Sequence, residues 1–550
     1  MTTSSRIALA LTLAVGAASP SSWAHDEASG KPPEKLGDVN FKVSCNAAAQ
    51  KEFNRAMALF HSFWFDPAKR SFARVLELDA ECGMAHWGTS LMSMGNPFTW
   101  PSSPEVSKIG APAAAEAVRV GAKTDRERDY ITALAAFFKD WQTVDFPSRA
   151  VAYEKAMEGV AAKYPTDDEA QMLYALALNI TALPSDKTFA NQTKAAKILE
   201  PLFAKYPNHP GVAHYLIHTY DYAELAEKGL GSARAYGAIA PSVPHALHMP
   251  SHIFSRVGMW REMVDGNRAS YQAAKAEMKD ASPGMGGYDA LHAMDYMVFA
   301  HLQQAQDRAA RALLDEAAAI RKVNVENFPA AYALAAIPAR FALERGDWQQ
   351  AAALKLTPPD LAWSKFPQAE SVLVYSRGLG AARSGDSAAA RADVARLESL
   401  KQSLVSSKNT YWASQTDLQI TTLNAWIALA GKRGEEALKL MRAATEAEEA
   451  SDKHPVTPGN VLPSRELLGE MLLELNQPVA AQAEFEQSLK RDPNRFRGIY
   501  GAARAAEAAG NRAAMHAHYA KLQTLAAPRD SERPELERAA ASLASSEVDR

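Results

Sequence analysis

The sequence predicts an all-α protein, an α-solenoid in which helical hairpins stack into a superhelix with a concave groove. Segments rich in Ala, Leu and Glu with helical periodicity run through almost all of the 550 residues, and runs of β-branched residues are few. Some features also recur at a fixed step of 34 residues, as from His214 to His248 and from Asn476 to Gly510. A period of this length is typical of helix–turn–helix repeats.

The first 24 residues have the three parts of a secretory signal peptide. Arg6 supplies the positive charge, residues 7–18 form a short apolar stretch, and Ser22-Trp23-Ala24 is a small-residue cleavage site. We therefore expect cleavage near Ala24 and a mature protein that is periplasmic or secreted. The apolar stretch is too short to span a bilayer, and no later stretch of the sequence is long enough to do so.

Charge excludes two classes of partner. The formal net charge is −3, with acidic and basic residues interspersed. The sequence therefore lacks the basic patch expected for nucleic-acid binding and the polybasic cluster of a membrane-surface protein. We expect the ligand of the groove to be a protein, a peptide or a small molecule.

Prolines, glycines and shifts in composition divide the chain after the signal peptide. We expect a polar, disordered lead-in, N-terminal hairpins, central histidine-bearing repeats, a second helical-repeat region, a C-terminal repeat pair and a flexible tail. Their boundaries are 25–44, 45–206, 207–306, 307–462, 463–527 and 528–550, respectively.

The sequence contains two cysteines. Cys45 precedes the first predicted helix and Cys82 opens the third, so the first helices of two neighbouring hairpins would bring them together. In an exported protein we expect these cysteines to form a disulfide, with two buried free thiols as the alternative. No C-x-x-C motif is present, which disfavours redox catalysis.

Six segments carry a resemblance to known proteins. They are L-F-H-S-F-W-F at 59–65, H-W-G-T-S-L-M-S-M-G-N-P-F at 86–98, D-K-T-F-A-N-Q at 186–192, H-P-G-V-A-H-Y-L-I-H at 209–218, P-H-A-L-H-M-P-S-H-I-F at 244–254 and H-P-V-T-P-G at 454–459. With the 34-residue step, the chain resembles tetratricopeptide-repeat (TPR) proteins, and more specifically an exported bacterial TPR family of uncharacterised function. The resemblance implies a fold and a compartment, but no reaction.

The repeat phase predicts which side chains face the groove. It is set by Gly258, taken as the small residue that closes the first helix of a TPR unit. The predicted groove residues are His214, His218, Asp221 and Tyr222 in one unit, His245, His248 and His252 in the next, and Asp289, His292 and Tyr296 in the third.

Further residues are weaker candidates for the same groove. Asp295 starts at a packing position of its predicted helix but lies beside the groove residues. His61 and His86 would reach the groove only if the superhelix curls strongly. The loop over 96–112, rich in Pro, Ser and Gly, is expected to cover a surface or line a pocket. His454 is expected to be structural.

The spacing of the histidines suggests a metal site. Imidazoles four residues apart lie on one face of a helix and can bind one ion together. The predicted ligands are His214, His218, His248, His252 and His292, and such a site would suit zinc, copper or iron. Pro250, between His248 and His252, permits a kink that re-aims the second ring.

Three functions remain open at this level. The first is an envelope protein that binds a ligand in its groove through a histidine-held metal. The second is a metal-dependent hydrolytic or oxidative enzyme with an open coordination position. The third is a metal-free scaffold that binds a protein or peptide. Purely structural histidines are the alternative to all of these. No G-x-S-x-G, H-E-x-x-H or phosphate-binding glycine loop is present.

Overall fold

The computed structural model describes residues 34–98 and 104–548. Its α-helices in chain order are α1 (Ala47–His61), α2 (Phe65–Leu78), α3 (Gly83–Ser93), α4 (Pro104–Val120), α5 (Asp125–Phe138), α6 (Phe146–Lys163), α7 (Asp168–Thr181), α8 (Ala190–Lys205), α9 (Pro210–Tyr220), α10 (Leu230–Ile239), α11 (Pro244–His248), α12 (Pro250–Val257), α13 (Trp260–Glu277), α14 (Tyr288–Gln303), α15 (Asp307–Ala318), α16 (Phe328–Leu343), α17 (Trp348–Ala352), α18 (Pro367–Arg383), α19 (Ser387–Ser406), α20 (Thr410–Ala430), α21 (Gly434–Glu449), α22 (Ser464–Glu474), α23 (Pro478–Arg491), α24 (Phe496–Ala508), α25 (Arg512–Leu525) and α26 (Pro534–Val548).

Little other regular structure is present in the described residues. Two short 3₁₀ helices cover Ala226–Gly229 and Trp363–Lys365. Two strands of two residues each, β1 (Met285–Gly286) and β2 (Lys322–Val323), pair in parallel. The protein is therefore an all-α solenoid, as the composition and the 34-residue step predict. In the described part of the chain, no helix is both long and apolar enough to cross a membrane.

Short polar residues and prolines begin many of the helices. The side chains of Asn46, Asp167 and Asn327 accept hydrogen bonds from free amides in the first turns of α1, α7 and α16. Pro210 and Pro244 stand in the first turns of α9 and α11, where no hydrogen bond is lost. The 34-residue step thus repeats a helix start.

Pro250 and Gly258 define the ends of α12. Pro250 has no amide hydrogen, so the helix of the predicted repeat is divided into α11 and α12 at this residue. Gly258 closes α12 with a φ of +68°, in the left-handed region. A Cβ on Gly258 would lie 2.4 Å from the carbonyl oxygen of Pro493, so this turn requires glycine.

α14 joins the two large hydrophobic clusters of the molecule. Tyr296 and Phe299 belong to the cluster formed with the N-terminal helices. Met294 and Met297, on another face of α14, belong to the cluster formed with the helices that follow it. The helix that carries His292 is therefore fixed from both sides.

The N-terminal hairpins and the C-terminal hairpins both contact the central repeats. The carbonyl of His61, at the end of α1, accepts a hydrogen bond from His214 on α9. From the other end of the chain, the carbonyl of Asn494 accepts from Trp260 of α13, and the amide of Phe496 donates to Gln303 of α14. The central repeats are thereby enclosed.

The predicted lead-in is ordered over most of its described part. Glu34 and Lys35 belong to a separate unit that ends at Lys35, and both are exposed. From Leu36 onward, contrary to the expectation of disorder, the chain packs on the hairpins. Phe41 is fully buried against Phe53, Trp87 and Tyr130. One large buried aromatic residue thus outweighs the polar composition of the segment.

The predicted flexible tail is also ordered over its described part, 528–548. Asp530 accepts hydrogen bonds from two amides in the first turn of α15, each 2.9 Å long. Arg533 forms a buried ion pair with Asp307, and Leu536, in the first turn of α26, is buried. A cap, an ion pair and an apolar helix face therefore hold the segment that its composition marks as frayed.

Cys45 and Cys82 are joined by a disulfide whose Cα atoms are 5.3 Å apart. Cys45 stands just before α1 and Cys82 just before α3, so the bond ties the first two hairpins together. The predicted signal peptide lies outside the described residues.

Candidate metal centre

Six of the predicted groove histidines come together at the centre of the superhelix. We call them the histidine cluster: His214 and His218 on α9, His245 and His248 on α11, His252 on α12 and His292 on α14. The ring centroids of His214 and His218 lie 4.8 Å apart, and those of His248 and His292 lie 4.4 Å apart. The repeat phase therefore places these side chains on one surface.

The cluster consists of two groups of three imidazoles. The first triad is formed by His214, His218 and His245, and the second triad by His248, His252 and His292. Within each triad, one nitrogen from each ring lies within 4.8 Å of one nitrogen from each of the other two rings. The triads adjoin, because the ring centroids of His218 and His252 are 6.1 Å apart.

In the second triad, the hydrogen bonds fix which nitrogens carry protons. Nδ1 of His248 lies 2.7 Å from Oδ1 of Asn267. The amide nitrogen of Asn267 donates to the carbonyl of Met263, so its oxygen must face His248, whose Nδ1–H donates. Nδ1 of His252 donates to the Asp221 carboxylate at 2.9 Å. Both rings therefore turn their Nε2 atoms inward, 3.2 Å from one another.

The first triad shows a related arrangement. Nδ1–H of His214 donates to the carbonyl of His61 at 2.7 Å. Nε2 of His214 lies 3.1 Å from Nε2 of His218. Nε2 of His245 is buried and has no hydrogen-bond partner among the described residues. Such outer hydrogen bonds on Nδ1 are typical of metal-ligating histidines, since they orient the ring and direct the other nitrogen to the ion.

Burial favours the neutral form of the six imidazoles, which is the form that can bind a metal. It lowers the pKa of all six imidazoles below the usual 6.5, and for five of them neighbouring imidazoles lower the pKa further. For His252, Lys453 and Arg256 add to the effect of burial, while Asp221 opposes it.

Asp221 is held as a carboxylate by its cationic neighbours. Burial alone would raise its pKa, but Lys453, Arg256 and His252 lower it well below the usual range. Lys453 and Arg256 approach the carboxylate to 3.2 and 2.9 Å. Asp221 can therefore accept the Nδ1–H of His252 at neutral pH and below.

A loop from the C-terminal half lies against the cluster. Asp452 of this loop pairs with Arg256 at 2.7 Å. The hydroxyl of Tyr296, whose ring centroid lies 4.5 Å from that of His248, donates to the carbonyl of Pro455. The loop over 451–463 thus closes one side of the groove. The sequence gives no sign of this approach, beyond the resemblance of its segment 454–459.

His454 was expected to be structural, and it lies at the edge of the site. Its ring packs on Phe328, Tyr411 and Trp412, and it lines the same cavity as the histidine cluster. Its Nδ1 accepts from the amide of Val456. The position of His454 in the chain does not follow the 34-residue step, so the repeat pattern could not identify His454 as a cavity residue.

A cavity of about 650 Å³ opens beside the cluster. His218, His245, His252 and His292 face it, and aromatic residues form much of its wall: Phe63, Phe65, Phe98, Tyr288, Phe328 and Phe366. Phe98, from the loop that was expected to line a pocket, stacks on His218 with centroids 4.0 Å apart. The volume of this cavity and its largely aromatic wall suit a small organic ligand.

Asp289 is the acidic group of the cavity closest in sequence to a predicted ligand. It lies three residues before His292 on α14 and lines the cavity. Burial, and then repulsion from Glu277, raise the pKa of Asp289 to about 7. This carboxyl can therefore gain or lose a proton near neutral pH.

Asp295 and Tyr222 lie apart from both the histidine cluster and its cavity. Asp295 is fully buried and forms an ion pair of 2.7 Å with Arg340 in the packing between α14 and α16. Its starting position on the packing side of the helix decides this outcome. Tyr222 turns away from the cluster and packs against Phe189, with ring centroids 5.4 Å apart.

The two outlying histidines have different positions. His86 interacts with Glu116 and Arg119 of α4 and does not line the cavity. His61 is fully buried, and its carbonyl group accepts a hydrogen bond from His214 of the cluster. The superhelix brings α1 against α9, but His86, near the start of α3, does not face the cavity.

The side chain of His61 belongs to another buried group. Its Nε2 lies 3.1 Å from Glu169 of α7, and Nε2 of His209 lies 3.2 Å from the same carboxylate. Burial opposes ionisation of Glu169, but His61 and His209 together lower its pKa strongly. Sequence reasoning missed both Glu169 and His209, although His209 begins a segment that carries the family resemblance.

Comparison with known proteins does not assign a family. No protein-family model and no curated protein matches the chain. Among solved structures, the chain is similar to the APC/C hetero-tetramer Cut9-Hcn1, with 12% identity, a TM-score of 0.33, and coverage of 86% of this chain and 79% of that chain. It is also similar to the human IFIT1 dimer with PPP-AAAA, with 12% identity, a TM-score of 0.36, and coverage of 86% and 89%.

Proposed function

We propose that this protein is an exported α-solenoid that binds a transition metal ion, zinc, copper or iron, through the histidines of its groove. The fold itself belongs to the helical-repeat class, whose concave surfaces commonly serve as interaction scaffolds. Metal binding, export and a role in the cell envelope are proposals that go beyond the fold. A single observation carries the metal site: the facing Nε2 atoms of His248 and His252.

Neutral rings cannot satisfy each other in this arrangement. Nδ1 of each ring already carries the proton that it donates to Asn267 or Asp221. The two Nε2 lone pairs then face each other at 3.2 Å. A proton between them would create an imidazolium, which burial and the neighbouring imidazoles disfavour. A divalent ion accepts both lone pairs.

The distance between the nitrogens agrees with this assignment. Two nitrogens that bind a tetrahedral ion at about 2.0–2.1 Å lie about 3.3 Å apart. The Nε2 atoms are 3.1 Å apart in the His214/His218 pair and 3.2 Å apart in the His248/His252 pair. Imidazole nitrogens without carboxylate ligands favour zinc, copper or iron over calcium or magnesium.

Metal analysis of purified protein that has never met a chelator tests the proposal. We expect at least one equivalent of a transition metal in the wild type, and one equivalent less in the double variant His248→Ala/His252→Ala. His301→Ala is the matched control, because His301 is a buried histidine of α14 that binds Gln306 outside the cluster. Less than about 0.2 equivalents in the wild type would contradict the proposal.

A metal-dependent enzyme is the second candidate function. The cavity wall reaches four rings of the cluster and includes Asp289, whose pKa is about 7. A carboxyl of this pKa beside a metal with an open position could move a proton to or from a bound water or substrate. Azide binding to cobalt-substituted protein, followed by its absorption spectrum, tests for that open position. An unchanged spectrum would count against an enzyme.

A further inference from the structure

We propose that the histidine cluster holds two metal ions, one on each triad, and that a small anion from the cavity bridges them. This inference rests on the proposed metal binding and goes beyond it in the number of ions and in the class of the further ligand. Four observations support it.

The first observation is the repetition of the ligand pair. His214 and His218 on α9 recur one 34-residue step later as His248 and His252. The N–N distances of the two pairs differ by only 0.1 Å, at 3.1 and 3.2 Å. One ring in the first pair and both rings in the second donate from Nδ1 to a fixed acceptor. A geometry that suits an ion at one pair therefore suits an ion at the other.

The second observation is that each pair has a third ligand of its own. His245 completes the first triad from the start of α11, and His292 completes the second from α14. These two rings have different places in their repeat units, so the repetition alone does not explain their positions. Three imidazoles are a common protein ligand set for zinc, with the fourth position left to water or substrate.

The third observation is that one ion cannot use all the nitrogens available. An ion on the second triad would leave His214 and His218 joined only by the hydrogen bond between their Nε2 atoms, which are 3.1 Å apart. It would also leave the buried Nε2 of His245 without a partner among the described residues. Buried polar atoms are rarely left unpaired. A second ion on the first triad engages all three atoms.

The fourth observation concerns charge and predicts the bridging ligand. Asp221 and Asp452 are balanced by Arg256 and Lys453, which lie within 2.7–3.3 Å of them. Two divalent ions would therefore bring positive charge that these groups do not neutralise. The cavity lies against rings of both triads, so hydroxide or another small anion could enter and bridge the ions, as in two-metal sites with ions about 3.5–4 Å apart.

Metal counting distinguishes two ions from one. Protein stripped with a chelator, reloaded with Zn²⁺ and passed over a competing resin should retain two equivalents. The variants His214→Ala/His218→Ala and His248→Ala/His252→Ala should each retain one. One equivalent in the wild type, lost in both variants, would overturn the two-ion proposal but leave the metal-binding proposal intact. No bound metal would overturn both.

A second measurement keeps the test clear if a double variant folds poorly. His245→Ala removes a partly exposed ring without breaking a hydrogen bond that involves its Nε2. In Cu²⁺-loaded wild type, we expect the paramagnetic resonance signal of a coupled pair. In His245→Ala, we expect the signal of an isolated Cu²⁺ together with a loss of one equivalent. Isolated Cu²⁺ spectra in both proteins would contradict the proposal, and His301→Ala should behave as wild type.

Discussion

Asn267 sets the orientation of His248 from outside the histidine cluster. It is fully buried on α13, and its amide group donates to Ser251 and Met263 while its oxygen accepts from His248. An amide held on both sides cannot rotate. The Nε2 atom of His248 is therefore aimed by residues that do not touch the proposed ion.

The first prediction concerns this amide. Asn267→Ala should lower metal affinity by about 10- to 100-fold while leaving all six imidazoles in place, because the His248 ring loses the acceptor that fixes its tautomer. Competition against a chromophoric chelator measures the affinity.

Asn179→Ala is the matched control for this substitution. Asn179 is a buried amide of α7 that binds the carbonyl of Tyr215 and the hydroxyl of Thr219, rather than a histidine ring. It should lower thermal stability without changing metal affinity. An equal affinity loss in both variants would show that Asn267 acts only through the packing of the fold.

The residues of the site differ in how far the sequence could predict them. The histidine pairs depend on a spacing of four within one helix and of 34 between helices, so both regularities are visible in the chain. Asn267 and Glu169 belong to no repeated spacing. A polar residue of an amphipathic helix is as often exposed as buried, so the sequence does not predict their burial. His454 reaches the cavity through a loop, and loop paths follow no period.

The loop over 451–463 is the element that closes the site, and Arg340 of α16 holds it. Arg340 is fully buried and pairs with Asp295 at 2.7 Å. The same guanidinium donates to the hydroxyl of Thr457 at 2.8 Å and to the carbonyl of Gly459 at 3.0 Å. One side chain thereby connects α14, α16 and the loop.

The second prediction follows from this arrangement. Arg340→Met should destabilise the protein by about 3–5 kcal/mol, because it leaves Asp295 as an uncompensated buried charge. It should also speed hydrogen exchange of the amides around Thr457 and Gly459, which lose their anchor. Thermal unfolding and exchange mass spectrometry measure the two effects.

A double variant separates charge from anchoring. In Arg340→Met/Asp295→Leu the buried carboxylate is gone, so part of the lost stability should return. Exchange in the loop should stay fast, because Thr457 and Gly459 still lack the guanidinium. Slow exchange in either variant would show that the loop is held by other contacts.

At the level of elements, composition gave the wrong prediction for the described parts of the lead-in and the tail. The lead-in and the tail are polar or rich in small residues, and such averages predict disorder. A few contacts order these segments instead, namely the burial of Phe41 and the ion pair between Arg533 and Asp307. A composition average cannot register one well-placed aromatic residue or one ion pair with a distant partner.

For the whole molecule, the repeat step predicts the solenoid but not its curvature. Curvature depends on the side chains that fill each interface, and these are not constant from unit to unit. Phe299 of α14 shows the effect, because the guanidinium groups of Arg340 and Arg495 lie 5.0 and 5.4 Å from its ring. The curve brings the six histidines together, while His86 of α3 does not line their cavity.

The C-terminal hairpins are tied to the rest of the superhelix by Glu470 of α22. Arg383 of α18 lies 2.7 Å from its carboxylate, and Arg497 of α24 also pairs with it. Burial raises the pKa of Glu470, but the two guanidinium groups have the larger effect and lower it from 4.5 to about 2. The folded protein therefore holds this carboxylate ionised at a pH where the unfolded chain protonates it.

The third prediction is the pH dependence that follows. Because the folded pKa lies below the unfolded one, the stabilisation is fully present above about pH 5 and is lost as the pH falls towards 2. A pKa lowered from 4.5 to about 2 corresponds to about 3 kcal/mol of stability at pH 7. Glu470→Gln should therefore unfold at a clearly lower temperature than the wild type at pH 7, and the difference should shrink by about half at pH 3.

Glu436→Gln is the control, because Glu436 forms a half-exposed ion pair with Arg433. This substitution should change stability by less than about 1 kcal/mol at either pH. A difference between Glu470→Gln and wild type that is equal at both pH values would mean that the carboxylate contributes shape and hydrogen bonds rather than charge.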